Sequence, residues 1–259
     1  MKRLPILLCF LIALTGPAHA GEAPSTPTTR PRYELIKGKG VEVCEAYKKN
    51  LESFDNHEPM ACERKIDPEL KDFEKPVWQE VDARGKDREL LRRVLRYQAV
   101  DRNQFQASLY KEPDLGNLIE RYKGREGGEN PLLSRTRVDI DNDGNVEDVA
   151  ILRYGSCPDT SVAHFETNLF VLKQGPRPEE MMIADDHPAE KLLRQKVSPQ
   201  LGHFTIADLF RYKGKTYVDK YCMLINGSPV GCDDKDILMV FKIEKNNVNE
   251  ICRYKYHNK

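Results

Sequence analysis

The residues best suited to chemistry form an acidic run, D-I-D-N-D-G-N-V-E-D, at positions 139–148. Asp139, Asp141 and Asp143 occupy alternate positions, and a glycine follows directly. Calcium takes about six to eight oxygen ligands, commonly from positions 1, 3 and 5 of a loop and a backbone carbonyl at position 7, with glycine at position 6. The spacing therefore predicts a calcium site in which Asn145 supplies the carbonyl oxygen.

Two neighbouring carboxylates, Glu147 and Asp148, compete to close the ligand shell. Successive side chains of a strand point to opposite faces, so only one of them can face the ion once the strand has begun. The shorter aspartate suits a slightly longer loop, and Asp148 is the predicted ligand with Glu147 as the alternative. Val146 is expected to anchor the loop to the core beneath it.

A hairpin turn without an ion is the other interpretation of this run, because Asn142, Asp143 and Gly144 all favour turns. Charge argues for the ion: two unit charges ~4 Å apart repel by ~1 kcal/mol in water and ~4 kcal/mol at an intermediate dielectric. Magnesium fits less well, because it prefers a tight octahedron with several retained waters. An ion between two strands would stabilise the hairpin, which favours a structural role.

The loop resembles the calcium loops of EF-hands and dockerins, and also the D-x-[DN]-x-D-G-x-x-D loops of FG-GAP and VCBS β-propeller repeats. An EF-hand has a bidentate glutamate at position 12, where this chain has Ala150. The FG-GAP/VCBS-type loop fits a strand–loop–strand setting, and that resemblance implies Glu147 as the last carboxylate. The loop occurs once, so a propeller built from repeats is not implied. A single loop in a secreted β domain resembles the arrangement in some exported bacterial proteins.

The elements that must position the loop change character near residue 131. Apolar residues at helical spacing predict one helix from about Val41 to Asp55 and a second over residues 87–97. Beyond residue 131 the period becomes two, which predicts consecutive antiparallel strands joined by short turns. The predicted fold class is α+β: a small helical part, residues 32–130, followed by a mainly antiparallel β meander or sandwich, residues 131–259, that carries the loop.

The first 31 residues predict export. Residues 1–20 combine Lys2 and Arg3, an apolar run and a small-residue end, as in a secretory signal peptide. Residues 21–31 are rich in Pro, Ser and Thr and predict a disordered linker. The apolar run is shorter than the ~20 residues that cross a bilayer, so we expect a periplasmic or secreted protein without a transmembrane segment after cleavage.

Export makes disulfides the expected state of the six cysteines that follow the signal peptide. Six cysteines allow 15 pairings. Closeness in sequence favours Cys44–Cys62 and Cys222–Cys232, and Cys157–Cys252 is then the remaining pair.

Two function classes stay open, and no catalytic residue is assigned. After loss of Lys2 and Arg3 the chain has 39 basic and 41 acidic residues, so no overall field favours nucleic acid. The first class is an exported, calcium-stabilised, disulfide-bearing binding or structural protein of the cell envelope, with an envelope or extracellular partner. The alternative is an exported hydrolase of envelope polymers that uses His164 with Glu166, or the cluster at residues 185–187, for acid–base chemistry.

Overall fold

The structure is a computed structural model, and it describes the chain in separate stretches. They are residues 32–53, 64–82, 85, 87–102, 132–154, 166–177, 180–197, 205–222, 237–245 and 247–257. The predicted signal peptide and linker, residues 1–31, lie outside them.

Eleven strands and three helices form the described part of the chain. The strands are β1 (Arg32–Lys37), β2 (Phe73–Glu74), β3 (Gln79–Glu80), β4 (Leu132–Val138), β5 (Glu147–Tyr154), β6 (Glu166–Gln174), β7 (Met181–Ile183), β8 (Thr205–Tyr212), β9 (Lys215–Cys222), β10 (Ile237–Glu244) and β11 (Asn247–His257). The helices are α1 (Glu42–Leu51), α2 (Arg88–Arg102) and α3 (Pro188–Leu192), and α3 continues into a π-helical turn, Leu193–Val197. Of these helices, none combines the length and the apolar composition that a bilayer crossing demands.

The strands form two antiparallel sheets. Sheet A has six strands in the order β1-β11-β10-β9-β8-β2, and sheet B has five in the order β3-β4-β5-β6-β7. Strands that are consecutive in the chain pair as hairpins at β4–β5, β8–β9 and β10–β11. The two-residue turn between β8 and β9 has Lys213 and Gly214 at positive φ, as a primed hairpin turn requires. The predicted fold class, α+β with a mainly antiparallel β part, is confirmed.

The two sheets pack face to face around one apolar layer, which we call the inter-sheet core. Leu209 and Val218 of sheet A meet Val149 and Ile151 of sheet B there, and α3 adds Ala189. The outer faces are covered by helices: α1 lies over sheet A and α2 over sheet B. In central strands such as β5 and β9, alternate side chains therefore point to the inter-sheet core and to the helix-covered face.

Residues 32–130, for which the sequence predicts helices, also supply strands. β1 pairs with β11 at the far end of the chain, and β2 and β3 extend the edges of the two sheets. Tyr33 and Leu35 alternate into the core beneath α1, which is a period-two signal in a short segment. The pairing partner lies more than two hundred residues away in sequence, so local periodicity gives no indication of it.

The disulfide observed in the described residues joins Cys44 of α1 to Cys252 of β11. The predicted pairs Cys44–Cys62 and Cys157–Cys252 are therefore wrong. The reason is topological: β1 places the start of α1 directly over β11, so the partner of Cys44 is distant in sequence but adjacent in space. The predicted pair Cys222–Cys232 depends on residue 232, which lies outside the described residues.

Candidate metal centre

The acidic loop is the connection between β4 and β5, residues 139–146, at one end of the sandwich. Val138 and Glu147 are register partners at the base of the loop. Ile140 points inward and is only 1% exposed, within the inter-sheet core. The expectation that Val146 anchors the loop is wrong, because its side chain is 51% exposed. Ile140 is the anchor instead, and it belongs to the first half of the loop.

Three carboxylates converge in this loop. Each of Asp139, Asp141 and Glu147 offers an oxygen, and these oxygens all lie within 4.8 Å of one another. The predicted ligands Asp139 and Asp141 are thus brought together, and Glu147, the alternative to Asp148, is the third member. Asp141 is buried, at 5% exposure, although its carboxylate faces two others.

Strand alternation explains why Glu147 joins the group and Asp148 does not. Glu147 shares a face of β5 with Val149 and Ile151, which line the inter-sheet core. Asp148 shares the opposite face with Ala150, which packs in the cluster beneath α2. The geometry therefore favours Glu147, and the choice between Glu147 and Asp148 as metal ligand stays a prediction. The residues that follow, Val149 to Leu152, are apolar on both faces of β5, so the sequence alone carries no signal that would have selected Glu147.

Backbone N–H groups fold the loop around the first carboxylate. The two oxygens of Asp139 accept hydrogen bonds from Asp143 N at 3.0 Å and from Gly144 N at 3.1 Å. Glu147 Oε2 accepts from Ile140 N at 3.0 Å, which closes the base of the loop. Gly144 has φ +99, a conformation that side-chain-bearing residues rarely adopt. The sharp turn predicted at this glycine is thus present.

The two remaining predicted ligands bind each other. Asp143 accepts hydrogen bonds from the backbone N of Asn145 at 2.7 Å and from its side-chain Nδ2 at 3.0 Å. Both bonds stabilise the ionised carboxylate and hold the pKa of Asp143 below its usual value. The carboxylate of Asp143 is not among the three that converge. A role for the Asn145 carbonyl in metal binding stays a prediction.

Burial and the charges of the neighbouring carboxylates raise the pKa values of two of the converging acids, Glu147 and Asp141. Burial raises the pKa of Glu147 to about 7, and the charges of the three aspartates add to the rise against the hydrogen bond from Ile140 N. Burial, followed by the charge of Asp143, also raises the pKa of Asp141. Among the described residues, no lysine or arginine forms an ion pair with Asp139, Asp141 or Glu147. The loop therefore holds negative charge that a cation from solution would relieve.

The acid–base candidates named for a hydrolase have local structural roles where the structure describes them. His187 accepts a hydrogen bond through Nδ1 from Ala189 N at 3.2 Å and caps α3, and its ring lies near Asp141. Asp185 and Asp186 are exposed and form ion pairs with Lys173. His164 lies outside the described residues, as does the side chain of Glu166. The nearness of His187 to the acidic loop has no signal in the sequence.

A second group of charges lies buried under α1, and we call it the buried ion-pair cluster: Arg64, Lys75, Asp208 and Asp219. Asp208 of β8 and Asp219 of β9 are register partners and are 2% and 1% exposed. Arg64 Nε lies 2.9 Å from Asp219 Oδ2, and Lys75 Nζ lies 2.8 Å from Asp208 Oδ2. Tyr47 also donates to Asp219 Oδ2, at 2.6 Å.

Comparison of the chain with protein families, curated proteins and solved structures finds no match. No role is therefore carried over from a relative, and the proposal below is argued from the residues of this chain. Hard oxygen ligands gathered in a loop suit Ca²⁺, whose flexible shell tolerates mono- and bidentate carboxylates together with carbonyls and water. The buried ion-pair cluster, in contrast, pairs its own anions with its own cations.

Proposed function

We propose that the acidic loop binds calcium as a structural ion, in an exported, disulfide-bearing binding or structural protein of the cell envelope. The observation that carries this proposal is the convergence of Asp139, Asp141 and Glu147 to within 4.8 Å. These three carboxylates would hold the ion, with the Asn145 carbonyl and Asp143 as further oxygen donors. Glu147 takes the place given to Asp148 from sequence.

The electrostatic cost of the loop supports a cation. At ~4.8 Å each pair of ionised carboxylates repels by ~0.9 kcal/mol in water and by ~3.5 kcal/mol at an effective dielectric of about 20. A divalent ion converts these repulsions into attractions. It would also tie the end of β4 to the start of β5, because Asp139 follows one strand and Glu147 begins the other. The expected consequence is a gain in stability, without any chemical step.

Two features support export. The Cys44–Cys252 disulfide is of the kind that persists in oxidising compartments outside the cytosol. Residues 1–20 have the order of a signal peptide. Calcium is abundant in such compartments, and extracellular calcium modules commonly bind it with Kd values of about 10⁻⁴ to 10⁻³ M. The partner in the envelope stays undefined, and the hydrolase alternative stays a prediction.

Isothermal titration of the chelator-treated protein with CaCl₂ tests the proposal. The wild type should bind one calcium ion, and Asp141→Ala should abolish the binding heat, because it removes a central carboxylate. Asp186→Ala is the matched control: Asp186 is exposed and pairs with Lys173, so its loss should leave binding intact. Equal thermal melts of the wild type with and without calcium, together with no binding heat, would rule the proposal out.

A further inference from the structure

Asn142 lies within the acidic loop of sheet B but directs its side-chain amide to sheet A. Its Oδ1 accepts a hydrogen bond from Thr216 N at 2.8 Å. Its Nδ2 donates to Thr216 O at 3.1 Å and to Ile243 O at 3.0 Å. All three amide contacts are therefore to backbone groups of β9 and β10, two strands of the opposite sheet.

These contacts fall where the pairing of β9 with β10 ends. The ladder runs from Ile237 opposite Cys222 to Phe241 opposite Val218. The same register, continued by two residues on each strand, would place Ile243 opposite Thr216. The Asn142 amide instead forms hydrogen bonds with the backbones of both Thr216 and Ile243. It therefore satisfies main-chain groups that the two strands no longer pair with each other. The amide thus bridges β9 and β10.

We infer that Asn142 is a positioning residue that couples calcium binding in the acidic loop to the ordering of this end of β9 and β10. The inference rests on the proposed calcium site. Asn142 stands between Asp141 and Asp143, so the backbone that presents Asp141 to the ion also aims the Asn142 amide at sheet A. An ion that holds the loop in this shape stabilises the three amide contacts. By reciprocity, the contacts raise the affinity of the loop for the ion.

The residue type fits both demands of the position. Asn142 has φ 58, a left-handed conformation that asparagine tolerates better than most residues. Its amide offers one acceptor for the Thr216 N–H and two donors for the carbonyls of Thr216 and Ile243. Aspartate would also tolerate the left-handed backbone conformation, but it would place a carboxylate oxygen, which cannot donate, against the carbonyl oxygens of Thr216 and Ile243. Glycine would keep the backbone conformation and remove the amide alone, which makes Asn142→Gly the informative substitution.

Amide hydrogen exchange of the full chain, with and without CaCl₂, tests the coupling directly. In the wild type, saturating calcium should slow exchange of the Thr216 N–H by about tenfold or more, since that proton is bonded to Asn142 Oδ1. In Asn142→Gly the Thr216 N–H should exchange fast in both conditions, and calcium should bind about tenfold more weakly in titration. Gln174→Ala is the matched control, because it removes a side-chain amide outside the acidic loop that likewise donates to two backbone carbonyls, those of Arg177 and Glu180.

The outcomes separate this inference from the proposed function. If the wild type binds no calcium, both fail. If the wild type binds calcium but Thr216 exchange does not respond to it, the coupling is wrong and the calcium site stands. Equal calcium affinity of Asn142→Gly and wild type also overturns the coupling. The wild-type comparison needs no substitution, so the test remains decisive even if Asn142→Gly does not fold.

Discussion

The acidic loop and the buried ion-pair cluster each bring carboxylates together, but they neutralise them in different ways. In the buried ion-pair cluster, two aspartates face Arg64 and Lys75 at 2.9 and 2.8 Å, so the chain supplies its own cations. In the acidic loop three carboxylates lie within 4.8 Å, and no described lysine or arginine forms an ion pair with them.

The difference lies in where each group sits. The buried ion-pair cluster is enclosed between α1 and sheet A, where an unpaired charge would be very costly. Residues 64–75 bring two cations into that space. Even there, Asp219 Oδ1 is buried without a hydrogen-bond partner in the described residues, and burial, ahead of the opposing effect of Arg64, raises the pKa of Asp219. The acidic loop lies at the end of the sandwich, where an ion can enter from solution. In the part of the chain that the structure describes, no lysine or arginine pairs with the acidic loop, and calcium would take that place in our proposal.

The largest effect is expected from breaking the buried ion-pair cluster. Arg64→Met leaves Asp219 buried without its cation, and removal of one partner of a buried pair typically costs about 3–5 kcal/mol. Urea denaturation should show this loss from the free energy of unfolding. The double variant Arg64→Met with Asp219→Leu should recover much of it, since both charges are then gone. A loss below about 1 kcal/mol for the single variant would show that the pair is effectively solvated.

Removal of calcium is expected to have the next largest effect. At a calcium concentration ten times the Kd, binding to the folded state alone stabilises it by ~1.4 kcal/mol. EGTA should remove this increment from the wild type in urea denaturation. The same increment should persist in Arg64→Met, because independent sites act additively. If the calcium increment vanishes in that variant, the two regions are coupled and the contrast between them fails.

The pH dependence of the metal-free protein reports on Glu147. Its pKa rises from 4.5 to about 7 on folding, chiefly through burial, so the folded state favours the protonated form. The resulting stability is fully present below about pH 4.5 and is lost as the pH rises through about 7. Because the side chain is only partly buried, we expect a loss of about 1 kcal/mol.

Urea denaturation in EGTA between pH 4.5 and 8 measures this loss, and Glu147→Gln should flatten the profile over that window. In calcium the slope should reverse, because the ion binds the deprotonated carboxylate. A wild-type profile in EGTA that matches Glu147→Gln would show that the loop does not perturb this acid.

The smallest effect is expected at Asp148, beside Glu147 on the opposite face of β5. Asp148→Asn should change the free energy of unfolding by less than about 0.5 kcal/mol and should leave the calcium affinity unchanged. Glu147→Gln should weaken calcium binding by tenfold or more, since a hydrogen-bonded carboxylate is removed. Titration calorimetry of the two variants side by side makes the comparison, and the reverse ranking would restore Asp148 as the ligand.

The sequence by itself determined the hairpins and the position of the loop. Period-two runs on either side of residues 139–146 predict β4 and β5, and the short turns predict the antiparallel pairing of β8 with β9 and of β10 with β11. Helical spacing predicts α1 and α2. These features depend on residues close together in the chain, where side-chain periodicity and turn chemistry act directly. The alternating aspartates likewise predict that Asp139 and Asp141 belong to the group of converging carboxylates.

Only the tertiary structure decided the features that depend on distant partners. Three contacts join segments far apart in sequence: the pairing of β1 with β11, the disulfide between Cys44 and Cys252, and the hydrogen bond from Thr216 N to Asn142 Oδ1. The proposed preference for Glu147 over Asp148 likewise depends on which face of β5 meets sheet A. A local pattern fixes which side chains share a face, but the opposing layer decides which face becomes core. That opposing layer forms only when the two sheets pack together.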